Sequence, residues 1–284
     1  MVLELSLPAE KIENHFYIIF FFSIIYAILS VLIGIYAFPQ NPSIVAISLI
    51  LISLTPIFYK ISSLEEEEDV LLDSESDILK HHLRAIKTFI FMFLGTTLGF
   101  FIVALFLSNQ SFNQVFEPQL KVLSVINPKL TGSFYQTLVR FGVIFSNNFK
   151  VMILCLVFSL TFGIGALFIL VWNSSVLGVA INSYFKMKLS DFLSSSQILT
   201  FFDYLKAFIF SLLRFSIHGI PEIASYFVAG LAGSIISFAI VKHHFSTKKF
   251  ENIVFDVSDL VILSMVILLL AAFIEVYLTP VLNL

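Results

Sequence analysis

One apolar stretch, Ile217 to Val241, constrains most strongly how this chain can fold. A helix needs roughly 20 apolar residues to cross the hydrocarbon core of a bilayer, and this stretch is long enough. Its first turns nevertheless carry His218, Gly219, Pro221 and Glu222. Proline suits the first turn of a helix, and a carboxylate beside it is stabilised by the positive end of the helix dipole. The pattern predicts a helix break at Gly219 and Pro221, with a half helix before it.

Composition indicates an integral membrane protein. Of the 284 residues, 58% are hydrophobic and 12% are charged, and the mean hydropathy is +0.99. Charged residues make up about a quarter of an average soluble domain. The net charge of −3 gives no sign of a nucleic-acid partner, and the single cysteine, Cys155, excludes an intrachain disulfide framework. We therefore predict an all-α, polytopic helical bundle in the cell membrane, a multi-pass protein that contacts lipid and needs no cofactor.

Apolar runs of membrane-spanning length recur along the chain. Six of them have full length: Phe16–Phe38, Ser43–Tyr59, Thr88–Leu107, Val151–Trp172, Ile217–Val241 and Leu260–Leu278. Two shorter runs lie beside polar residues: the run 174–185 follows Asn173, and the run 207–217 precedes His218 and Gly219. Such interrupted segments are typical of the substrate path in transporters. The pattern predicts about six membrane-spanning helices with one or two broken or re-entrant half helices. A seventh crossing follows if the run 174–185 completes a span.

Charge divides the sequence into three regions. Residues 1–59 are predicted to form an N-terminal transmembrane hairpin, residues 60–87 a charged amphipathic connector, and residues 88–284 the membrane core with surface helices at 108–150. The acidic run Glu65 to Asp69 is typical of a solvated helix face and is also compatible with docking of a basic partner. The surface helices are interpreted as a connector, with a partner-binding cap as the alternative.

Small residues at helical spacing predict close helix packing, because small side chains let two helices approach closely in lipid. Gly95 and Gly99 form a GxxxG motif, which favours either an internal helix pair or self-association into a homo-oligomer. The other predicted packing positions are Gly163, Gly165, Gly178, Ala229, Gly230 and Gly233.

Four ionisable residues lie well inside apolar runs of the core: Arg214, His218, Glu222 and Glu275. Each costs a few kcal/mol or more at membrane depth unless it is paired or neutral. We therefore expect Glu222 or Glu275 to hydrogen-bond to His218 or to one of three amides, Asn147, Asn148 and Asn173. We also expect the small-residue stripe that runs from Glu222 through Ala229 to Gly233 to pack against the last span.

Three interpretations of this intramembrane polar cluster stay open. The cluster is a structural clasp, a proton- or ion-linked path, or a site of intramembrane catalysis with a metal held by His218 and a carboxylate. One histidine with two glutamates is a poor zinc ligand set, and no HExxH, GxSxG or Asp-Asp signature is present. We accordingly predict no catalytic residue and no metal ligand.

Several short motifs occur in order along the second half of the chain: NNxxV at Asn147 to Val151, GxG at Gly163 to Gly165 with Asn173 and Gly178 downstream, HGxPE at His218 to Glu222, AGxxG at Ala229 to Gly233, and AAFIExxxTP at Ala271 to Pro280. Together they resemble the stage II sporulation protein M family over about Thr137 to Pro280. The resemblance implies a polytopic membrane core. In sporulating bacteria such proteins anchor a peptidoglycan-hydrolase complex that drives engulfment, and relatives occur in bacteria that do not sporulate and in archaea.

We therefore expect a non-enzymatic scaffold or component of an envelope-associated membrane complex, with a membrane or envelope protein as partner. The alternative is a transporter or channel that uses a proton- or ion-linked polar site at broken helices. The N-terminal hairpin and the acidic segment lie outside the resemblance.

Overall fold

The structure is a computed structural model that describes residues 16–71, 75–126, 134–162, 165–196, 198–241 and 248–279. Within these ranges the side chains of 62–71, 75–82, 84–85, 124–126, 134–136, 162, 195–196 and 248–249 fall outside the described set. Within these residues the chain forms nine α-helices and a closing π-helical turn. The helices are α1 (Phe16–Ala37), α2 (Pro42–Leu71), α3 (Glu75–Phe106), α4 (Asn109–Val115), α5 (Glu117–Ile126), α6 (Phe134–Phe162), α7 (Ala166–Ser196), α8 (Phe201–Val241) and α9 (Lys248–Phe273), and the π-helical turn is Ile274–Leu278. The predicted all-α helical bundle is confirmed.

Across the described ranges, seven helices are long and apolar enough to cross a membrane, one more than the six predicted. They are α1, α2, α3, α6, α7, α8 and α9. The difference arises because the predicted span Val151–Trp172 is wrong: α6 ends at Phe162 and α7 begins at Ala166. Gly165 lies in the turn between them, where a Cβ would collide with the backbone of Phe158. Gly163, in the same motif, lies outside the described residues.

The predicted separation of the span ending at Trp172 from the run 174–185, with Asn173 between them, is absent, because α7 runs without interruption from Ala166 to Ser196. The Asn173 amide donates a 2.7 Å hydrogen bond to the carbonyl of Ile169, one turn earlier in the same helix. The polar side chain is thus satisfied by its own helix. An asparagine with this local partner does not need to open the backbone.

The predicted break at Gly219 and Pro221 is also wrong, because both residues lie inside the continuous helix α8. Proline within a helix removes one backbone hydrogen bond, here the bond to the carbonyl of Ile217, and neighbouring helices can compensate for that loss inside a membrane protein. The α8 helix has such neighbours, since it packs against α2, α3, α6, α7 and α9. Packing on several sides holds the helix together through the proline.

The GxxxG motif of α3 packs inside the molecule. A Cβ on Gly95 would collide with the carbonyl of Phe20, and a Cβ on Gly99 would meet the Cβ of Ala27. Both contacts lie on α1, so the motif joins α1 and α3.

Helices α2 and α3 both continue past their apolar spans. The apolar part of α2 ends at Ile61 while the helix runs to Leu71, and α3 begins at Glu75 while its apolar part begins at Ile86. The predicted division into regions 1–59, 60–87 and 88–284 stays a prediction, since much of 60–87 lies outside the described side chains.

Candidate functional site: an intramembrane polar cluster

Glu222 lies next to the midpoint of α8, and its carboxyl group accepts hydrogen bonds from two helices. The Tyr226 hydroxyl donates a 2.7 Å bond to Oε1 of Glu222. The side chain of Asn148, at the midpoint of α6, also hydrogen-bonds this carboxyl. Tyr226 is 1% exposed and Asn148 is 8% exposed. A carboxyl group near the middle of both helices is therefore enclosed by protein donors.

Glu275 brings a second carboxyl group to this cluster from the π-helical turn after α9. It interacts electrostatically with Glu222 and with Arg140 of α6. The turn has one residue more per hydrogen-bonded ring than an α-helix, as in the bond from the Thr279 amide to the carbonyl of Ile274 at 2.9 Å. Single π-helical turns often occur at functional sites. Two like charges in this proximity repel each other unless a cation or a shared proton offsets one of them.

His218 and Arg214 precede Glu222 by one and two turns of α8. Nδ1 of His218 is buried and has no hydrogen-bond partner among the described residues. The ring interacts electrostatically with Arg214 and with Arg140. The Arg214 guanidinium lies 4.7 Å from the ring centroid of Tyr184 on α7. The cluster therefore continues from the carboxyl groups toward three basic side chains.

The predicted amides differ in their surroundings. Asn148 contacts Glu222, whereas Asn147 is exposed and donates a 3.4 Å bond to Oδ1 of Asn148. Asn173 belongs to α7, and its amide donates to the carbonyl of Ile169 within that helix. The structure thus brings together Glu222, Glu275 and Asn148, with His218 and Arg214 beside them, and leaves Asn173 out.

Two cluster residues were missing from the sequence prediction. Tyr226 follows Glu222 by four residues, so an ordinary i, i+4 spacing on one helix could have identified it. Arg140 is the single charged residue between Phe134 and Phe145, and its position in an apolar run was a signal of the same kind as that of Glu275.

The small residues of α8 pack mainly against α6 and the start of α7. A Cβ on Gly233 would lie 2.9 Å from the Cβ of Ser159, and a Cβ on Gly230 would lie 2.8 Å from the Cβ of Ala166. The expectation that Gly233 faces the last span is therefore wrong, although α8 and α9 do pack together. The tie between α9 and α6 is a 2.9 Å hydrogen bond from Ser264 to Sδ of Met152.

The predicted packing position on α7 has a close neighbour as well. A Cβ on Gly178 would lie 2.7 Å from the carbonyl oxygen of Thr97 on α3. Ala229 of α8 is fully buried.

The chemistry available to the cluster is limited by its composition. Over the part of the chain that is described, no three His, Cys, Asp or Glu side chains form a group that could hold a metal ion. The two carboxyl groups, the phenol and the imidazole can carry protons, and the hydrogen bonds between α6 and α8 can hold the helices in one register.

Comparisons with other proteins show which family this chain resembles in sequence. No solved structure matches the chain at a significant level. An uncharacterized protein of Methanocaldococcus jannaschii is 30% identical over 162 residues, which are 56% of this chain and 82% of the relative. The family model described as Stage II sporulation protein M matches residues 88–280, a range that contains the whole polar cluster. Because this range is more than half of the sequence, the chain belongs to the stage II sporulation protein M family.

Proposed function

We propose that this protein is a non-enzymatic scaffold of an envelope-associated complex, seated in the cell membrane by several crossings. The observation that carries the proposal is the extension of α2 and α3 beyond their apolar spans. Each extension is about ten residues long and adds roughly 15 Å of helix at 1.5 Å per residue. Helix of this length beyond the apolar span is not needed to cross a bilayer.

The sequence of these extensions favours a protein partner. Four glutamates and one aspartate follow one another from Glu65 to Asp69, and further acids continue to Asp77. Acidic residues beside a membrane attract basic surfaces, and they speed association more than they add affinity. A partner with a basic surface therefore fits this region.

The polar cluster is consistent with a structural role in such a scaffold. The Glu222 carboxyl group is held by Tyr226 of its own helix and by Asn148 of α6. Polar contacts between helices fix their register in a membrane, where hydrophobic driving force between helices is missing. A rigid core would present the α2 and α3 extensions in a constant geometry.

Site-specific photo-crosslinking in native membranes tests the proposal. A crosslinking residue at Ser63 should capture a distinct protein, and capture should fall when the acids from Glu65 to Asp69 are replaced by their amides. Ile52 is the matched control, because it lies on the same helix and is 70% exposed within the apolar span. If Ser63 captures only other copies of this chain, the scaffold role is refuted.

One observation favours the alternative, a proton- or ion-linked transporter or channel. The Glu222 carboxyl group near the middle of α8 interacts with the Glu275 carboxyl group of the π-helical turn, beside a histidine whose Nδ1 has no partner in the described part of the chain. The variants Glu222→Gln and Glu275→Gln should then abolish flux in liposomes while leaving the fold intact. Absence of flux of protons, sodium and potassium through the wild-type protein would eliminate this alternative.

A further inference from the structure

A second group of polar residues lies between α3, α5 and α7, and it shares no residue with the Glu222 cluster. Gln119 of α5 is fully buried, and its Nε2 donates a 3.2 Å hydrogen bond to Oγ of Ser175 on α7. The Ser175 hydroxyl in turn donates to the carbonyl of Trp172 at 2.7 Å. These bonds attach the short helix α5 to the long helix α7.

The depth of this attachment follows from the packing of the spanning helices. Ala27 lies near the middle of α1, and Gly99 of α3 packs against it. Two residues earlier on α3, the carbonyl of Thr97 packs against Gly178 of α7. Ser175 lies one turn from Gly178, so its hydrogen bond to Gln119 lies close to the level of the middle of α1.

Helices α4 and α5 descend along α7 to reach that level. The Lys186 ammonium of α7 lies 4.8 Å from the ring centroid of Phe112 in α4. Further along, the Phe116 ring lies 6.2 Å from the ring of Phe100 on α3, and Gln119 then meets Ser175. The helices have 7 and 10 residues, and neither can cross a bilayer that needs roughly 20.

The flanking helices show that the pair does not cross as a unit either. Thr97 and Phe101 of α3 contact Gly178 and Phe185 of α7, so α3 and α7 run parallel. Helix α6 joins α7 through a tight turn and runs antiparallel to it, so α6 begins at the face where α3 ends. The pair between α3 and α6 therefore enters and leaves the bundle at that face.

The outer face of α5 is charged at this depth. Glu117 and Lys121 form an ion pair at 2.7 Å, and their side chains are 62% and 74% exposed. A charged side chain in contact with acyl chains costs several kcal/mol, and charges inside a membrane face a wet cavity or the bundle interior. Contact between this face of α5 and lipid acyl chains is therefore unfavourable.

Polar atoms that lack partners within the described residues lie where α5 and α3 pack against α7. Asn182 is fully buried, and neither atom of its amide is hydrogen-bonded; Oε1 of Gln119 and Oγ1 of Thr97 are likewise unsatisfied. Asn182 follows Ser175 by seven residues and Gly178 by four, so at 100° per residue it lies between the directions of α5 and α3. Buried polar groups of this kind are normally satisfied by ordered water.

We propose that α4 and α5 form a re-entrant insertion bordered by a water-filled crevice, which opens at the membrane face near Lys186 and ends near Gln119 and Ser175. The crevice admits water and small hydrophilic ions to about half the depth of the bilayer. It hydrates the Glu117–Lys121 pair on the outer face of α5, and it lies beside the polar residues between α3, α5 and α7, where the enclosed amide of Asn182 and Oε1 of Gln119 lack partners among the described residues. The proposal does not depend on the scaffold role, because it concerns solvent access alone.

Reaction of single cysteines with a charged, membrane-impermeant methanethiosulfonate reagent tests the crevice in reconstituted full-length protein. The background is Cys155→Ala, and the probe is Lys121→Cys combined with Glu117→Gln, which removes both charges of the ion pair. The matched control is Ile25→Cys, at a site near the middle of α1 that is 49% exposed. Only the thiolate reacts and it forms in water, so the probe should react at least about tenfold faster than the control.

Two further measurements make the result decisive. After denaturation both cysteines should react completely, which shows that the thiols are intact, and reagent added from one side only should identify the side on which the crevice opens. Equal, slow reaction of Lys121→Cys and Ile25→Cys in the folded protein would overturn the proposal, whether lipid or another protein covers α5. If the Lys121 variant does not fold, Glu117→Cys combined with Lys121→Gln serves as the probe, with the same two outcomes.

Discussion

The Tyr226 hydroxyl donates a 2.7 Å hydrogen bond to Oε1 of Glu222, one turn earlier on α8. Asn148 of α6 hydrogen-bonds the same carboxyl group, so one acid joins a contact within a helix to a contact between helices. The carboxyl group lies within an apolar run and is partly buried, so it would be costly there without partners. The stability of the α6–α8 pair should therefore respond to the loss of either donor.

Tyr226→Phe removes the hydroxyl group and keeps the ring. We expect the free energy of unfolding to fall by about 0.5–2 kcal/mol, since one hydrogen bond is lost and the partly buried carboxyl group keeps its other donor. Reversible unfolding in mixed micelles measures this change. In a double-mutant cycle with Glu222→Gln the two losses should be non-additive; strict additivity would show that the hydroxyl and the carboxyl group are not coupled.

Gly233→Ala should weaken the contact between α6 and α8. The added Cβ would lie 2.9 Å from the Cβ of Ser159 and 3.0 Å from the backbone nitrogen of Leu160, so the helices must separate. Overpacking of this kind costs typically about 1–3 kcal/mol. The matched control is Gly219→Ala on the same helix, where a Cβ meets nothing within 4 Å. Thermal unfolding should show a loss for the first variant and no loss for the second, and equal behaviour would contradict the packing described above.

Gly99→Val should lower stability without changing the size of the protein. The glycine packs against Ala27 of α1 inside one molecule, so a larger side chain separates α1 from α3. Light scattering with size-exclusion chromatography measures the mass, and thermal unfolding measures stability. A variant that keeps wild-type stability but dissociates into smaller particles would show that the GxxxG motif joins two copies instead.

Pro221→Ala should leave the helix content unchanged and should not lower the unfolding temperature. Alanine restores the backbone hydrogen bond to the carbonyl of Ile217, and proline is the least favourable residue in a helix interior. Circular dichroism and thermal unfolding test this expectation. A clear fall in the unfolding temperature would mean that the proline geometry is needed to place Glu222 beside Asn148.

At particular residues, the prediction from the sequence pattern differs from what the contacts in the folded protein produce. Asn173 interrupts an apolar run in the sequence, yet a bond to Ile169 satisfies its amide and α7 continues. Gly165 gave only a packing signal, and its neighbourhood is instead the turn between α6 and α7. Hydropathy reports which residues avoid water, and it cannot report whether a polar side chain is satisfied locally.

The polar cluster could be predicted from the sequence only in part. The expectation that Glu222 needs a donor follows from the cost of an unpaired acid in lipid, and Asn148 was among the candidates. The choice of Asn148 over Asn173 depends on which helix packs against α8. The absence of a bond between Glu222 and His218 depends on side-chain directions along a continuous helix, which the predicted break obscured.

The sequence alone determined that this chain is a helical membrane protein, because its apolar runs have the length of a bilayer and its charges are too few for a soluble domain. It also determined that the acids of the core need partners. Only the tertiary structure decided that α8 continues through Pro221, that the GxxxG motif is used internally, and that α5 reaches the level of Ser175. These outcomes depend on contacts between helices distant in sequence, and a local pattern contains no information on which helices become neighbours.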